Sequence, residues 1–146
     1  MHGGTTQFNM PHGMERLGRP VDQAVSVFLE DVQQRGLSEK ILLIVTGEFG
    51  RTSKVNSNGG RDHWPKLSTL AFAGGGLPMG QVIGRSSRDV SEPASRPVSP
   101  EDLFATIIHT MFDTGILRLL PEVPRDVARL IERARPIPEL VNGVRA

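Results

Sequence analysis

The sequence predicts an α/β protein, in which amphipathic helices alternate with short apolar strands. Three observations carry that reading: a helix-period apolar stripe over residues 20–35, a run of β-branched residues directly after it, and a second, strongly capped helix from Ser99. The first helix has Pro20 in its first turn. Val21, Ala24, Val25, Phe28, Leu29 and Val32 recur on one face, and Gly36 stands where a left-handed residue ends a helix. Ile41-Leu42-Leu43-Ile44-Val45, running on to Thr46, is apolar throughout and suits a buried strand. A helix, a short link and such a strand are expected to be half of a parallel crossover unit.

Leu67–Ala73 reads as a second strand, ended by Gly74-Gly75-Gly76, and Gly80–Gly84 as a short third one. The triple glycine lacks the Lys-Ser/Thr of a phosphate-binding loop, so a tight turn or close backbone packing is its better reading. Ser99-Pro100-Glu101-Asp102 starts the second helix, with Ser as N-cap and Pro at the first helical position. It is expected to bury Leu103, Phe104, Ile107, Ile108 and Met111, with His109 in a structural role. Arg125–Ala134 reads as a further helix, and the proline-bearing Arg135–Leu140 as an extended tail. Residues 1–18, with His2 and His12, read as loop.

The 146 residues suit a single domain. A net charge of +1, from 17 basic and 16 acidic residues, gives no electrostatic footprint for nucleic acid. The absence of cysteine removes disulfides, thiolate nucleophiles and Cys-ligated zinc. No apolar run approaches the roughly 20 residues of a membrane-spanning helix. Nor does a basic segment followed by an apolar one open the chain as a signal peptide would.

The chemistry concentrates on one connection, Thr46–Pro65, which leaves the end of the apolar strand. In α/β sheets ligands bind beyond the carboxyl ends of the strands. Glu48, Arg51, Arg61, Asp62 and His63 all fall there, spaced by glycines. Two readings of these residues stand side by side. In one, Glu48 and His63, with Asp62 nearby, supply carboxylate and imidazole to Zn²⁺, Mn²⁺ or Fe, while Arg51 and Arg61 clamp an anion through fork-shaped hydrogen bonds. In the other, Glu48–Arg51 and Arg61–Asp62 are ion pairs that stitch a long loop.

Thr46-Gly47-Glu48-Phe49-Gly50-Arg51-Thr52, Gly60–Pro65, Ala73–Gly76, Gly80–Gly84, Pro100–Leu103 with Ala105–Ile107, and Arg135–Pro138 occur in an order that resembles the DUF1501 family, over nearly the whole chain. The resemblance implies a bacterial protein of the alkaline phosphatase/sulfatase-like superfamily: metal-dependent hydrolases of phosphate and sulfate esters on an α/β/α sandwich. It implies metal-ligand positions at Glu48, His63 and, through a Trp-Asp-x-His motif, His2. It also implies catalytic roles for Arg51 as anion clamp and Asp62 as ligand or ligand support, with Zn or Mn as the metal. In many superfamily enzymes an Asp-His pair follows the strand; Glu48-Phe49 stands here instead.

By the same resemblance the chain corresponds to the C-terminal half of the fold, without the half that supplies the nucleophile. An isolated chain of that kind is expected to be inactive, and to pair with the missing half or with itself. A small anionic ester is the implied substrate. A non-catalytic anion- or partner-binding module is the alternative. Family members are often exported by a twin-arginine signal.

Overall fold

A computed structural model describes residues 10–141. The chain enters it in helix. Helix α1 (Met10–Gly13), a wide π turn (Met14–Gly18) and helix α2 (Arg19–Gln34) follow one another without a break, since Gly13 and Gly18 both have helical dihedrals. The loop expected over residues 1–18 is therefore corrected from Met10 onward. Pro20 explains the wide turn beside it: a proline within a helix donates no bond to the carbonyl four residues back and crowds that carbonyl. Helix α2 ends as its sequence indicates. Gly36 takes φ +66°, and its N–H donates to the Gln33 carbonyl at 3.0 Å.

Strand β1 (Leu42–Thr46) is followed by β2 (Gly50–Arg51), β3 (His63–Trp64) and β4 (Leu70–Gly74). β1 and β4 form one two-stranded sheet, β2 and β3 the other. The Gly75 N–H donates to the Ile41 carbonyl at 2.8 Å, which sets the end of β4 beside the start of β1. That pairing is antiparallel, and it is separate from the crossover half expected of α2 and β1, whose other strand would precede α2. No helix lies between the two strands, so the chain leaving β1 turns back without the crossover a parallel partner requires. Gly80–Gly84 is irregular where a strand was expected, because both of its glycines take left-handed dihedrals, φ +78° and +79°.

The chain clusters into two compact units. The first contains the helix that runs from Met10, residues 44–71 and residues 84–95. Within it β2 and β3 form an antiparallel hairpin, Gly50 opposite Trp64 and Arg51 opposite His63. Val32 is buried on α2, while Val21, Val27 and Phe28 stay exposed.

The second unit contains residues 37–43, 72–83 and the chain from Arg96. It carries α3 (Pro100–Met111), α4 (Thr114–Leu117), α5 (Arg125–Arg133) and α6 (Pro138–Val141). Its core gathers Leu77, Ile137 and Leu140, with Leu42, Phe72 and Ile83 packed against them.

Ser99 caps α3 with a reciprocal capping box to Asp102, as its sequence indicates. The buried face of α3 differs from expectation. Ala105 and Thr106 are wholly buried and Asp102 nearly so, whereas Phe104 and Met111 are exposed. The tail explains this. The Arg135 N–H donates to the Asp102 carboxylate at 3.1 Å, and the Ile137 N–H to the Thr106 hydroxyl at 2.9 Å. That hydroxyl in turn donates to the Asp102 carbonyl at 2.7 Å. The polar side chains of α3 are thus the ones that receive the backbone of residues 135–137.

His109 is partly buried. Burial, and then the nearby Arg118 charge, push its pKa below the ordinary imidazole value and favour the neutral ring. No helix among the described residues is long and apolar enough to cross a membrane.

Candidate functional site

The connection leaving β1 folds back as the β2–β3 hairpin, and its tip is organised by one side chain that the sequence reading passed over. Asn56 accepts hydrogen bonds at Oδ1 from the N–H groups of Asn58 and Gly60, both at 3.0 Å. Its Nδ2 donates to the Asp62 carboxylate at 2.8 Å. The signal was present in the sequence as an Asn followed by Gly59-Gly60, the composition of an Asx turn. Backbone bonds from Thr52 N–H to the Asp62 carbonyl and from Asn56 N–H to the Gly60 carbonyl close the rest of the loop.

The two arginines are tied to backbone, not to acids. Arg51 Nη1 donates to the Arg61 carbonyl at 3.2 Å, and Arg61 Nη1 to the Thr52 carbonyl at 3.3 Å. The ion pairs among the described residues are Asp31–Arg35, Arg96–Asp102 and Asp126–Arg129. Neither Glu48–Arg51 nor Arg61–Asp62 is among them. The stitching ion pairs that the sequence left open as an alternative are therefore not how this loop is held.

His63 and Phe49 stack, with ring centroids 4.0 Å apart and planes inclined by 35°. The Arg51 guanidinium carbon lies 5.7 Å from the centre of the same Phe49 ring. Trp64, next to His63, donates its indole N–H to the Ser91 carbonyl at 2.8 Å, which anchors the hairpin to the 85–95 turn. That turn is strained at Val90, a β-branched residue at φ +58°. The Asp89 carboxylate organises it, accepting from the Ser87 and Ser91 hydroxyls at 2.7 and 2.9 Å. Those hydroxyls, with the Ser91 N–H, hold the Asp89 pKa below the usual carboxylate value.

A cleft of about 340 Å³ opens past the end of β1, lined by Gly47, Phe49, Gly50, Arg51, Leu67, Ser68 and Thr69. Its two walls meet closely at Gly50, where a Cβ would overlap the Leu67 carbonyl. Of the residues singled out from sequence, Arg51 lines the cleft. Glu48 is exposed and adjoins it through Gly47 and Phe49, and His63 lies behind Phe49. Asp62 is engaged by Asn56. His2 lies outside the described residues. Among the described residues no group of three His, Cys, Asp or Glu side chains is placed to hold a metal ion.

Fold and site together define a mixed α/β protein with an arginine-lined, glycine-flanked cleft at the carboxyl end of a strand. The family model described as a protein of unknown function (DUF1501) matches residues 1–135, and the chain belongs to that family. No curated protein and no solved structure matches it.

Proposed function

We propose that the protein binds the oxyanion of a phosphate or sulfate ester in the cleft beside Arg51. One observation carries this reading: Arg51 lines the cleft, and no carboxylate among the described residues pairs with its guanidinium. A guanidinium presents a planar fork of donors that matches two oxygens of such an anion. Only Nη1 is committed, to the Arg61 carbonyl, which leaves the remaining edge for a ligand.

Hydrolysis of that ester is the activity to which the reading extends, on the alkaline phosphatase-like α/β/α sandwich that the family resemblance implies. A divalent metal, Zn²⁺ or Mn²⁺, would be held by Glu48, His63 and His2, and would polarise the ester oxygen when bound. Of those donors, Glu48 and His63 lie among the described residues. The second reading is that the protein binds the anion at the Arg51 cleft without turnover.

Calorimetric titration of the purified chain separates the two. Stoichiometric Zn²⁺ or Mn²⁺ binding that is lost in Glu48→Gln and in His63→Ala supports the hydrolase. Metal binding unchanged in both variants, or no binding at all, refutes it and leaves the anion-binding protein.

A further inference from the structure

We propose that the hydroxyls of Ser68 and Thr69 form the second wall of the anion site and share the oxyanion with Arg51. The inference rests on the anion-binding reading above and assigns two residues to it that no sequence motif marks. Ser68 and Thr69 line the cleft together with Arg51. Both are exposed, and among the described residues neither side chain is engaged in a hydrogen bond.

Three other hydroxyls in this unit are used differently. Thr52 Oγ1 donates to the Lys54 carbonyl and accepts from the Asp62 N–H, and Ser87 and Ser91 organise the turn around Asp89. Those hydroxyls are bonded within the fold, whereas Ser68 and Thr69, two residues of the cleft lining, make no such bond and keep their donors for a ligand.

Chemistry and size then set the class of ligand. A cationic fork and two neutral O–H donors suit a group that offers several acceptor oxygens and carries negative charge, as a phosphate or sulfate does. Phe49 and Leu67 add apolar surface to the same cleft, against which a compact organic group of the ester can lie. A volume of about 340 Å³ is at the small end of ligand sites, which span roughly 300–1,000 Å³. The site thus fits a phosphorylated or sulfated small molecule. Gly50 and the Leu67 carbonyl pack closely, which fixes the spacing of the 47–51 and 67–69 segments at that point.

The test uses the full chain in the presence of a chelator, titrated with inorganic phosphate at constant ionic strength. Binding is followed by calorimetry and by the amide NMR shifts of residues 47–51 and 67–69. Four proteins are compared: wild type, Arg51→Met, the double variant Ser68→Ala/Thr69→Val, and Thr69→Ser, which keeps the hydroxyl. Loss of two hydrogen bonds is expected to weaken phosphate about 5- to 100-fold in the double variant. Arg51→Met should weaken it by about 10-fold or more, and Thr69→Ser should bind as wild type does. The substituted hydroxyls make no bond within the fold, so the double variant should keep the wild-type circular dichroism spectrum.

A double variant that binds phosphate as tightly as wild type, while Arg51→Met does not, overturns the role of Ser68 and Thr69 and leaves the arginine site standing. A wild-type chain that takes up no phosphate overturns both.

Discussion

Replacing Gly50 by alanine probes the geometry on which the cleft depends. A Cβ at this position would overlap the Leu67 carbonyl oxygen, would come within 2.8 Å of the Leu67 carbonyl carbon, and would sit 3.4 Å from the Trp64 carbonyl. Carbon and oxygen atoms without a covalent link rest about 3.3–3.6 Å apart even in a weak C–H···O contact. The Leu67 carbonyl would have to retreat by more than roughly an ångström to restore that spacing. The obstructing atoms are backbone, so no side-chain rotation relieves the clash. The cost should fall at the upper end of the range for overpacking, about 3 kcal/mol. Gly50 does not have a positive φ, so the penalty is steric and not conformational.

Gly47→Ala is the matched control. Its Cβ would lie 3.8 Å from the Phe49 carbonyl, an ordinary contact, and the change should stay within about 0.5 kcal/mol of wild type. Urea denaturation of both variants, with phosphate titration of whichever folds, gives the comparison. Gly50→Ala should lose both stability and phosphate binding, because the residue 67–69 wall is displaced from Arg51. If it unfolds within 0.5 kcal/mol of wild type and still binds phosphate, the close approach at Gly50 is not what sets the cleft.

Two further outcomes follow from the second unit. Gly74 takes φ +82°, and a Cβ there would overlap the Ile41 carbonyl, whereas Gly76 takes φ +70° with open space around it. Gly74→Ala should therefore cost about 3 kcal/mol or more, and Gly76→Ala only the roughly 1–2 kcal/mol of left-handed strain, in parallel thermal melts. Equal costs would show that the contact with Ile41 does not matter. Burial alone would raise the Asp102 pKa, but the N–H groups of Arg135 and Ser99, with the Arg96 charge 2.8 Å away, outweigh it and hold the pKa below the ordinary value of 3.8. A depressed carboxylate pKa stabilises the fold above the unfolded value, and that stability disappears as pH falls through the folded one. Asp102→Asn should cost about 2 kcal/mol near neutrality, and less as acid protonates the wild-type carboxylate. A variant whose stability falls in parallel with wild type between roughly pH 6 and 2 would refute the assignment.

Local signals with a stereochemical cause were legible in the sequence. Gly36 as a left-handed terminator, Ser99-Pro100 as a helix start and the apolar strand all stand where the residues indicate, although β1 is only partly buried, with Val45 and Thr46 exposed. What was not legible depends on partners distant in sequence. Nothing local shows that the Arg135 and Ile137 backbone will lie on Asp102 and Thr106. The hydrophobic ranking therefore chose Phe104 and Met111 for the buried face. The antiparallel return of β4 was hidden for a similar reason, since strand composition does not encode direction. The helix at Met10–Gly18 was hidden by its Pro11, Gly13 and Gly18, although Met10, Met14 and Leu17 recur at helical spacing and lead into Val21 of α2. Phe49, Asn56, Ser68 and Thr69 were missed because none is a residue type that draws notice as catalytic, although the first joins His63 to Arg51 and the second shapes the loop.

The placing of charge supports the proposal that this loop binds an anion. One carboxylate that holds the fold is paired with a cation: Asp102 receives Arg96 and two backbone N–H groups. In the loop after β1 the acid that adjoins an arginine in sequence, Asp62, is instead taken by the neutral Asn56 amide, and both arginines are held by carbonyl oxygens. A carbonyl fixes the orientation of a guanidinium but leaves its charge unneutralised. Holding Arg51 this way keeps a preorganised cation at the cleft, and an incoming anion need not displace a resident carboxylate. An ion pair at the same place would hold the loop equally well and would compete with any such ligand. This choice of partner is the physical reason to read the loop as a binding site.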